Sequence, residues 1–323
     1  ELEAHGEAFE TDSDTEVLLR ALVVHGVEIL PKLVGMFAFA FYDRQERRLI
    51  LARDHFGIKP LYVAETVDGL AFASEMKALL VHPDIKPKRS AQALQQYLAF
   101  QFCLGERTMF EQIKKLAPGS YMVWSNGSMQ TSRYWSPVFS GNETRPENEI
   151  VEELEALLRE SVDITLNADV PIGAYVSGGI DSNLVAMMAS RDRPGLNLFH
   201  GRFDEAEIYD ESRYAQQVAD AADAKLHICT GTPEDFVRLL PKISYMMDEP
   251  AAGPGVFAQF LVSEMASKQA RVVLGGQGGD ELFGGYVRYV VAYLEQALKG
   301  GILGTQEEGK QVVTLSSLIP NLA

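Results

Sequence analysis

The chain has 323 residues, with 29 Lys and Arg against 45 Asp and Glu, for a formal net charge of −16 and a 46% apolar share. That acidic excess repels a phosphate backbone and argues against nonspecific nucleic-acid binding. The longest apolar stretch, Leu18 to Leu30, is broken by Arg20, His25 and Glu28, well short of the roughly 20 residues of a membrane span. Two cysteines, Cys103 and Cys229, build neither a disulfide framework nor a zinc site, so a reduced, cytoplasmic protein of about two domains is expected.

The chain opens on Glu1, Glu1–Glu10 reads as the tail of a helix, and Ile302–Ala323 stops without a terminal element; a piece of a longer protein is expected at both ends. Val17, Leu18, Ala21, Leu22 and His25 predict a helix over Thr15–His25, with Ser13 or Asp14 as its N-cap. Aromatic and branched runs then predict strands at Met36–Tyr42, Leu49–Arg53, Leu61–Ala64 and Leu70–Ala73, separated by Asp43, Gly57, Pro60 and Gly69. Phe37, Phe39 and Phe41 alternate with small residues, as in a strand packed between a sheet and a further layer. Helices at Glu75–Leu80 and Ala91–Phe100 and a strand at Tyr121–Trp124 follow.

Residues 136–149 are polar and carry Pro137, Gly141 and Pro146, the composition of a linker. Beyond them helices (Ile150–Asp163, Ser182–Ser190, Glu211–Ala222, Phe257–Lys268) alternate with strands (Ile172–Val176, Leu196–His200, Lys225–Cys229, Arg271–Leu274). That rhythm predicts a doubly wound parallel sheet with helices on both faces.

Two glycine-rich segments carry the chemistry. In Ile172-Gly-Ala-Tyr-Val-Ser-Gly-Gly-Ile-Asp-Ser182 a strand runs into Ser177-Gly178-Gly179 and a helix follows. Such a turn aims successive N–H groups outward as an anion nest, and Ser177 and Ser182 add hydroxyl donors. Asp181 would repel a bare phosphate and makes sense there with a bridging divalent cation; the plain alternative is a strand-to-helix turn with Asp181 as N-cap. The Gly-Lys-Ser/Thr ending of an ordinary phosphate loop is missing, which disfavours a kinase or GTPase. A second strand leads into Val272-Val-Leu-Gly-Gly-Gln-Gly-Gly-Asp-Glu281, with Asp280 opening the next turn. Two such loops at the carboxyl ends of parallel strands could converge on one nucleotide–metal complex.

Ser177-Gly-Gly-Ile-Asp-Ser182 resembles the pyrophosphate loop of the ATP-pyrophosphatase superfamily. Gly276-Gln-Gly-Gly-Asp-Glu-Leu-Phe-Gly-Gly-Tyr286 is similar to its partner motif in glutamine-hydrolysing asparagine synthetases, as are Asp210-Glu-Ser-Arg-Tyr-Ala215 and Met247-Asp-Glu-Pro250. Ser13-Asp-Thr-Glu-Val17, Gly35-Met-Phe-Ala-Phe39, Ala52-Arg-Asp54 with Gly57 and Pro60-Leu-Tyr62, and Ala73-Ser-Glu-Met-Lys-Ala-Leu79 resemble that family's class II amidotransferase domain. The resemblance runs in the family's order from about residue 10 to 290.

It implies a layered α-β-β-α amidotransferase domain over residues 1–135, a linker over 136–149 and an ATP-pyrophosphatase-type synthetase domain over 150–323, the first short of its amino-terminal part and the second of its carboxyl-terminal part. It further implies ATP and Mg2+ as cofactors, and aspartate, glutamine and ATP as substrates. Neither nucleic acid nor membrane enters, and there is room for a homodimer. Asp14 would hold the glutamine α-amino group, with helix capping as the competing role. Tyr175 and Gly201 would line the adenine and ribose pocket. Ser177, Gly178, Gly179, Ser182, Gly275 and Gly276 would grip phosphates, and Asp181 and Asp280 would bind magnesium. Arg53 and Asp54 are expected to form a structural ion pair. The implied reaction makes β-aspartyl-AMP and pyrophosphate, then lets ammonia from glutamine displace AMP.

Two departures stand out. The family's glutaminase nucleophile is a cysteine at the mature amino terminus, whereas residue 1 is Glu1 and neither Cys103 nor Cys229 is terminal, so the chain as written is not expected to hydrolyse glutamine. Gln277 stands where the best-known synthetases carry a glutamate, and an amide takes no proton at neutral pH. Either another carboxylate, Glu281 for one, does that work, or the acceptor is another acid, as in β-lactam-forming or polysaccharide-amidating relatives. A noncatalytic nucleotide-binding module is the remaining alternative.

Overall fold

The computed structural model describes residues 2–138, 144–203, 210–250, 253 and 255–303, in two compact units. Glu1, residues 139–143 of the expected linker and the tail after 303 lie outside the described residues. Unit 1 takes in residues 1–143 and 241–253, and unit 2 residues 144–240 and 254–323.

Unit 1 starts with a short 3-10 turn, Glu3–His5, where the sequence suggested the end of a helix. Helix α1, Asp14–His25, is capped by Ser13, whose hydroxyl accepts the Thr15 N–H at 3.2 Å. Asp14 is therefore the first helical residue and not the cap. Strands β1 (Ala38–Asp43), β2 (Arg48–Arg53), β3 (Tyr62–Thr66) and β4 (Gly69–Ala73) precede helices α2 (Met76–Leu79) and α3 (Ala91–Phe100). Strands β5 (Lys114–Lys115), β6 (Ser120–Ser125) and β7 (Ser128–Arg133) complete two antiparallel sheets, ordered β1-β2-β6-β7 and β4-β3-β5.

Alternation decides the layering. Leu51 of β2, Met122 of β6 and Val63 of β3 meet in a core between the sheets, joined by Leu61 and Leu116. Phe39 and Phe41 of β1 point outward onto Leu22 and Ala21 of α1, while Ala64 of β3 packs outward with Met76 and Leu79 of α2. The result is a four-layer α-β-β-α stack. Strand β7 was not anticipated because its sequence, Ser-Met-Gln-Thr-Ser-Arg, is polar and its residues are mostly exposed at a sheet edge. The readable signal was the Asn126-Gly127 turn between β6 and β7, both residues with positive φ, as a tight two-residue hairpin requires.

The expected Arg53–Asp54 ion pair is replaced by two separate anchors. The Arg53 guanidinium donates to the carbonyls of Gly57, Lys59 and Leu116 at 2.6, 2.8 and 2.7 Å. The Asp54 carboxylate, 1% exposed, accepts the N–H groups of Phe56, Ile58 and Lys59. Each charge is satisfied by backbone, and together they shape the turn between β2 and β3. Asp248, held at a left-handed φ of 61°, accepts the Met76 N–H at 2.7 Å and pairs with the Lys77 ammonium at 2.9 Å, which ties residues 241–253 to the start of α2.

Unit 2 is a four-stranded parallel sheet in the order β10-β9-β8-β11, built from β8 (Ile172–Tyr175), β9 (Asn197–Phe203), β10 (Lys225–Gly231) and β11 (Val272–Leu274). Its helices are α4 (Glu147–Leu166), α5 (Ile180–Asp192), α6 (Ser212–Ala221), α7 (Pro233–Met247, whose last turns count with unit 1), α8 (Gly255–Ala266), α9 (Gly279–Phe283) and α10 (Val287–Leu303). Ala174 and Leu198 face α4, α5 and α6 through Val162, Ala186, Ala189 and Ala215, while Phe199 on the opposite face meets Val262 and Ala266 of α8. Both faces are covered, as the continuous apolar strands demanded. Helices α7 and α10 were not anticipated from sequence, and α4 begins three residues earlier, directly after Pro146.

From β8 the chain winds through β9 to β10 on one side, then returns to lay β11 on the other side of β8. The winding reverses between β8 and β11, and the carboxyl ends of those two strands therefore diverge around a crevice.

Candidate active site

Each of the two strands bordering that crevice ends in one of the glycine-rich loops. After β8, the Ser177 hydroxyl lies 2.8 Å from that of Ser182 and accepts the Gly179 N–H at 3.0 Å, while the Ser182 hydroxyl accepts the Ser177 N–H at 3.2 Å. The loop is thus braced by its own hydroxyls. Gly179 is the N-cap of α5 without any side-chain cap, so Asp181 sits inside the first turn and is free of the capping role.

The second loop leaves β11 and enters α9 through Gly278, at a φ of +101° that side chains rarely adopt. A Cβ on Gly276 would collide with the backbone of Asp181 and Ser182, so the loops touch main chain to main chain. A Cβ on Gly279 would collide with the Asp181 carboxyl, and one on Gly285 with the Asp280 carboxyl. The glycines make room for the two acids that the sequence singled out.

Both acids line one cavity of about 690 Å³. Tyr175, Ser177, Gly179, Ser182 and Gly201 line it, as do Gly276 and Gln277. Gly178 and Gly275 belong to the same loops without lining the cavity. The Gly178 N–H is already taken by the Glu211 carboxylate at 2.8 Å, and a Cβ on Gly275 would overlap the Gln277 amide. The Tyr175 hydroxyl lies 2.9 Å from that of Ser263, and Gly201 abuts Val262 of α8 so closely that a Cβ would not fit. Asp14 belongs to unit 1, where its carboxylate accepts the Thr15 hydroxyl.

Several lining residues escaped the sequence reading. His200, Glu211, Gln259 and Tyr286 all border the cavity. Gln277 donates weakly to Gln259 at 3.4 Å. The Tyr286 hydroxyl donates to Glu281 at 2.9 Å, and that carboxylate pushes the phenol's pKa up. Glu211 and Tyr286 lie within stretches already noted for their resemblance, residues 210–215 and 276–286; nothing in the sequence marks His200. Among the described lining residues there are four carboxylates, of Asp181, Glu211, Asp280 and Glu281, and neither lysine nor arginine.

A family model described as asparagine synthase matches residues 153–315, the half of the chain that holds this cavity, and one described as glutamine amidotransferase domain matches residues 1–135. The chain belongs to the asparagine synthase family. Asparagine synthetase [glutamine-hydrolyzing] 1 of Bacillus subtilis is 38% identical over 90% of the chain and 45% of its own length. A putative asparagine synthetase of Mycobacterium tuberculosis is 37% identical over 88% of the chain and 45% of its length. Amidase chry2 of Gibberella zeae is 30% identical over 86% and 44%. The chain therefore spans about half the length of the curated relatives it matches. Among the described residues no helix is long and apolar enough to cross a membrane.

Proposed function

We propose that this family member is the core of a glutamine-dependent asparagine synthetase, with its amidotransferase domain over residues 1–135, a linker over 136–149 and its synthetase domain over 150–323. The observation that carries the reading is the single cavity into which two glycine loops and two acids, Asp181 and Asp280, converge. The first N–H groups of α5, and the Ser177 and Ser182 hydroxyls on exchanging their mutual bond for the ligand, would donate to phosphate oxygens. Tyr175 and Gly201, at the α8 side of the cavity, are the proposed wall of the nucleoside pocket.

A cavity with four carboxylates and no basic side chain among its described lining residues repels a bare triphosphate, which fits magnesium-bound ATP. Asp181 and Asp280 would hold the Mg2+, and the ion would supply charge neutralisation on the departing pyrophosphate. The chain's own task is to align the aspartate side-chain carboxylate with the α-phosphorus and to hold the resulting acyl-adenylate dry. Carboxylate oxygen bonds to phosphorus as the bond to pyrophosphate breaks; ammonia then bonds to the acyl carbon as AMP leaves. Gln277 cannot take the ammonia proton, and Glu281, which accepts the Tyr286 hydroxyl at the same cavity, is the carboxylate proposed to do so. Asp14, at the exposed start of α1, is the proposed holder of the glutamine α-amino group.

In the full-length protein, Asp181→Asn and Asp280→Asn are each expected to lower aspartate-dependent pyrophosphate release on the order of 100-fold or more while leaving glutamine cleavage unchanged. Pyrophosphate release near the parental rate in either variant would remove the metal assignment. An absence of release from the parent with aspartate, but not with another acid, would move the acceptor to that acid.

A further inference from the structure

Three successive N–H groups of the first glycine loop are bonded inside the protein, and one partner differs in kind from the other two. The Ser177 N–H donates to the Ser182 hydroxyl at 3.2 Å and the Gly179 N–H to the Ser177 hydroxyl at 3.0 Å, both within the loop. The Gly178 N–H, between them in sequence, donates at 2.8 Å to the carboxylate of Glu211, 33 residues away. That carboxyl lies so close that a Cβ on Gly178 would meet its carbon at 2.6 Å. Glu211 also lines the cavity that Ser177, Gly179 and Asp181 border.

The two kinds of partner respond differently to a phosphate oxygen. A hydroxyl can keep accepting its N–H while turning its own proton toward the phosphate. Ser177 and Ser182 are thus compatible with a bound phosphate where they stand. An ionised carboxylate only accepts and carries the same sign as the phosphate, so the Gly178 N–H serves one or the other. Glu211 is also placed to leave. Its main chain is fixed as the N-cap of α6, where its carbonyl accepts the Tyr214 N–H at 2.9 Å, while the residue is exposed and its side chain makes no capping bond. Rotation of that side chain gives up the bond to Gly178 and leaves the helix start intact.

We propose that Glu211 is a built-in competitor for the pyrophosphate end of the nucleotide. It yields the Gly178 N–H to a phosphate oxygen when ATP enters and reclaims it once the bond to pyrophosphate has broken, so the loop does not retain its product. The proposal rests on the ligase reading and deepens it by assigning the step that clears the site. A competitor holding one charge-assisted hydrogen bond lowers the apparent affinity for pyrophosphate about tenfold or more.

The test is calorimetric titration of the full-length protein with inorganic pyrophosphate in excess magnesium, with a thermal scan of each variant. Glu211→Gln substitutes an amide that can turn its N–H groups toward the phosphate, and Glu211→Ala removes the group altogether. Each is expected to bind pyrophosphate about tenfold or more tightly than the parent, with the melting temperature little changed. Glu211→Asp keeps the charge but falls one methylene short of the Gly178 N–H, and is expected to tighten binding to a smaller extent. Parent-like affinity in Glu211→Asp would mean that repulsion alone, not occupancy of the N–H, sets the competition, and would overturn the proposal. Unchanged or weaker binding in Glu211→Gln and Glu211→Ala would overturn it as well, since a magnesium ligand gives that result. So would a collapse of the melting temperature, which would make Glu211 a brace of the loop. Failure of the ligase reading is registered separately, by absence of pyrophosphate release from the parent with ATP and aspartate.

Discussion

At the start of α1 the Glu16 carboxylate folds back over its own loop, accepting the N–H groups of Glu10 and Thr11 and, at 2.6 Å, the Thr11 hydroxyl. These bonds, the Thr11 hydroxyl foremost, bring its pKa from 4.5 down to about 2. A carboxyl whose folded pKa is depressed stabilises fully above its unfolded value and loses that contribution as pH falls through the folded one. The melting temperature of the parent minus that of Glu16→Gln is therefore expected to be positive above about pH 5 and to shrink toward zero near pH 2. A pH-independent difference would mean that the charge itself contributes nothing. Single residues were also where sequence reasoning was weakest. Arg53 and Asp54 are adjacent and opposite in charge, which suggests a pair, yet each is saturated by backbone groups of the turn that follows. Only the path of the turn reveals that.

At the level of elements, the two glycine loops were legible because glycine followed by a helix start is written locally. Their contact was not, since residues 181–182 and 276 are far apart in sequence. Gly276→Ala makes that contact testable: its Cβ would have to displace the backbone of Asp181 and Ser182. A shift of about 1 Å in this loop is expected to reduce pyrophosphate release on the order of 100-fold, with the melting temperature little changed because the clash lies beyond the sheet's carboxyl edge. Steady-state assays and a thermal scan together check it; full activity would mean that the loops separate on ligand binding. Helices α7 and α10 escaped prediction although both carry apolar residues at helical spacing. Strand β7 escaped because an edge strand facing solvent lacks the apolar alternation that marks a half-buried one.

For the whole molecule, the formal charge of −16 and a cavity with four carboxylates act in the same direction. Both oppose an anionic nucleotide unless cations accompany it. ATP with magnesium at about 100 times its Kd is expected to raise the melting temperature by about 5 °C, and ATP with a chelator by nothing measurable. Equal protection in the two conditions would show that donors alone hold the triphosphate.

The sequence by itself determined the doubly wound sheet of unit 2 and its four strands, most of the strands of unit 1, and the glycine, serine and aspartate residues of the two loops. These depend on periodicity and on backbone freedom, which are local properties. The tertiary structure alone decided that Asp181 and Asp280 share a cavity and that Asp248 caps a helix from another part of the chain. Those facts depend on which distant segments the winding of the sheet brings together, and no local pattern encodes that.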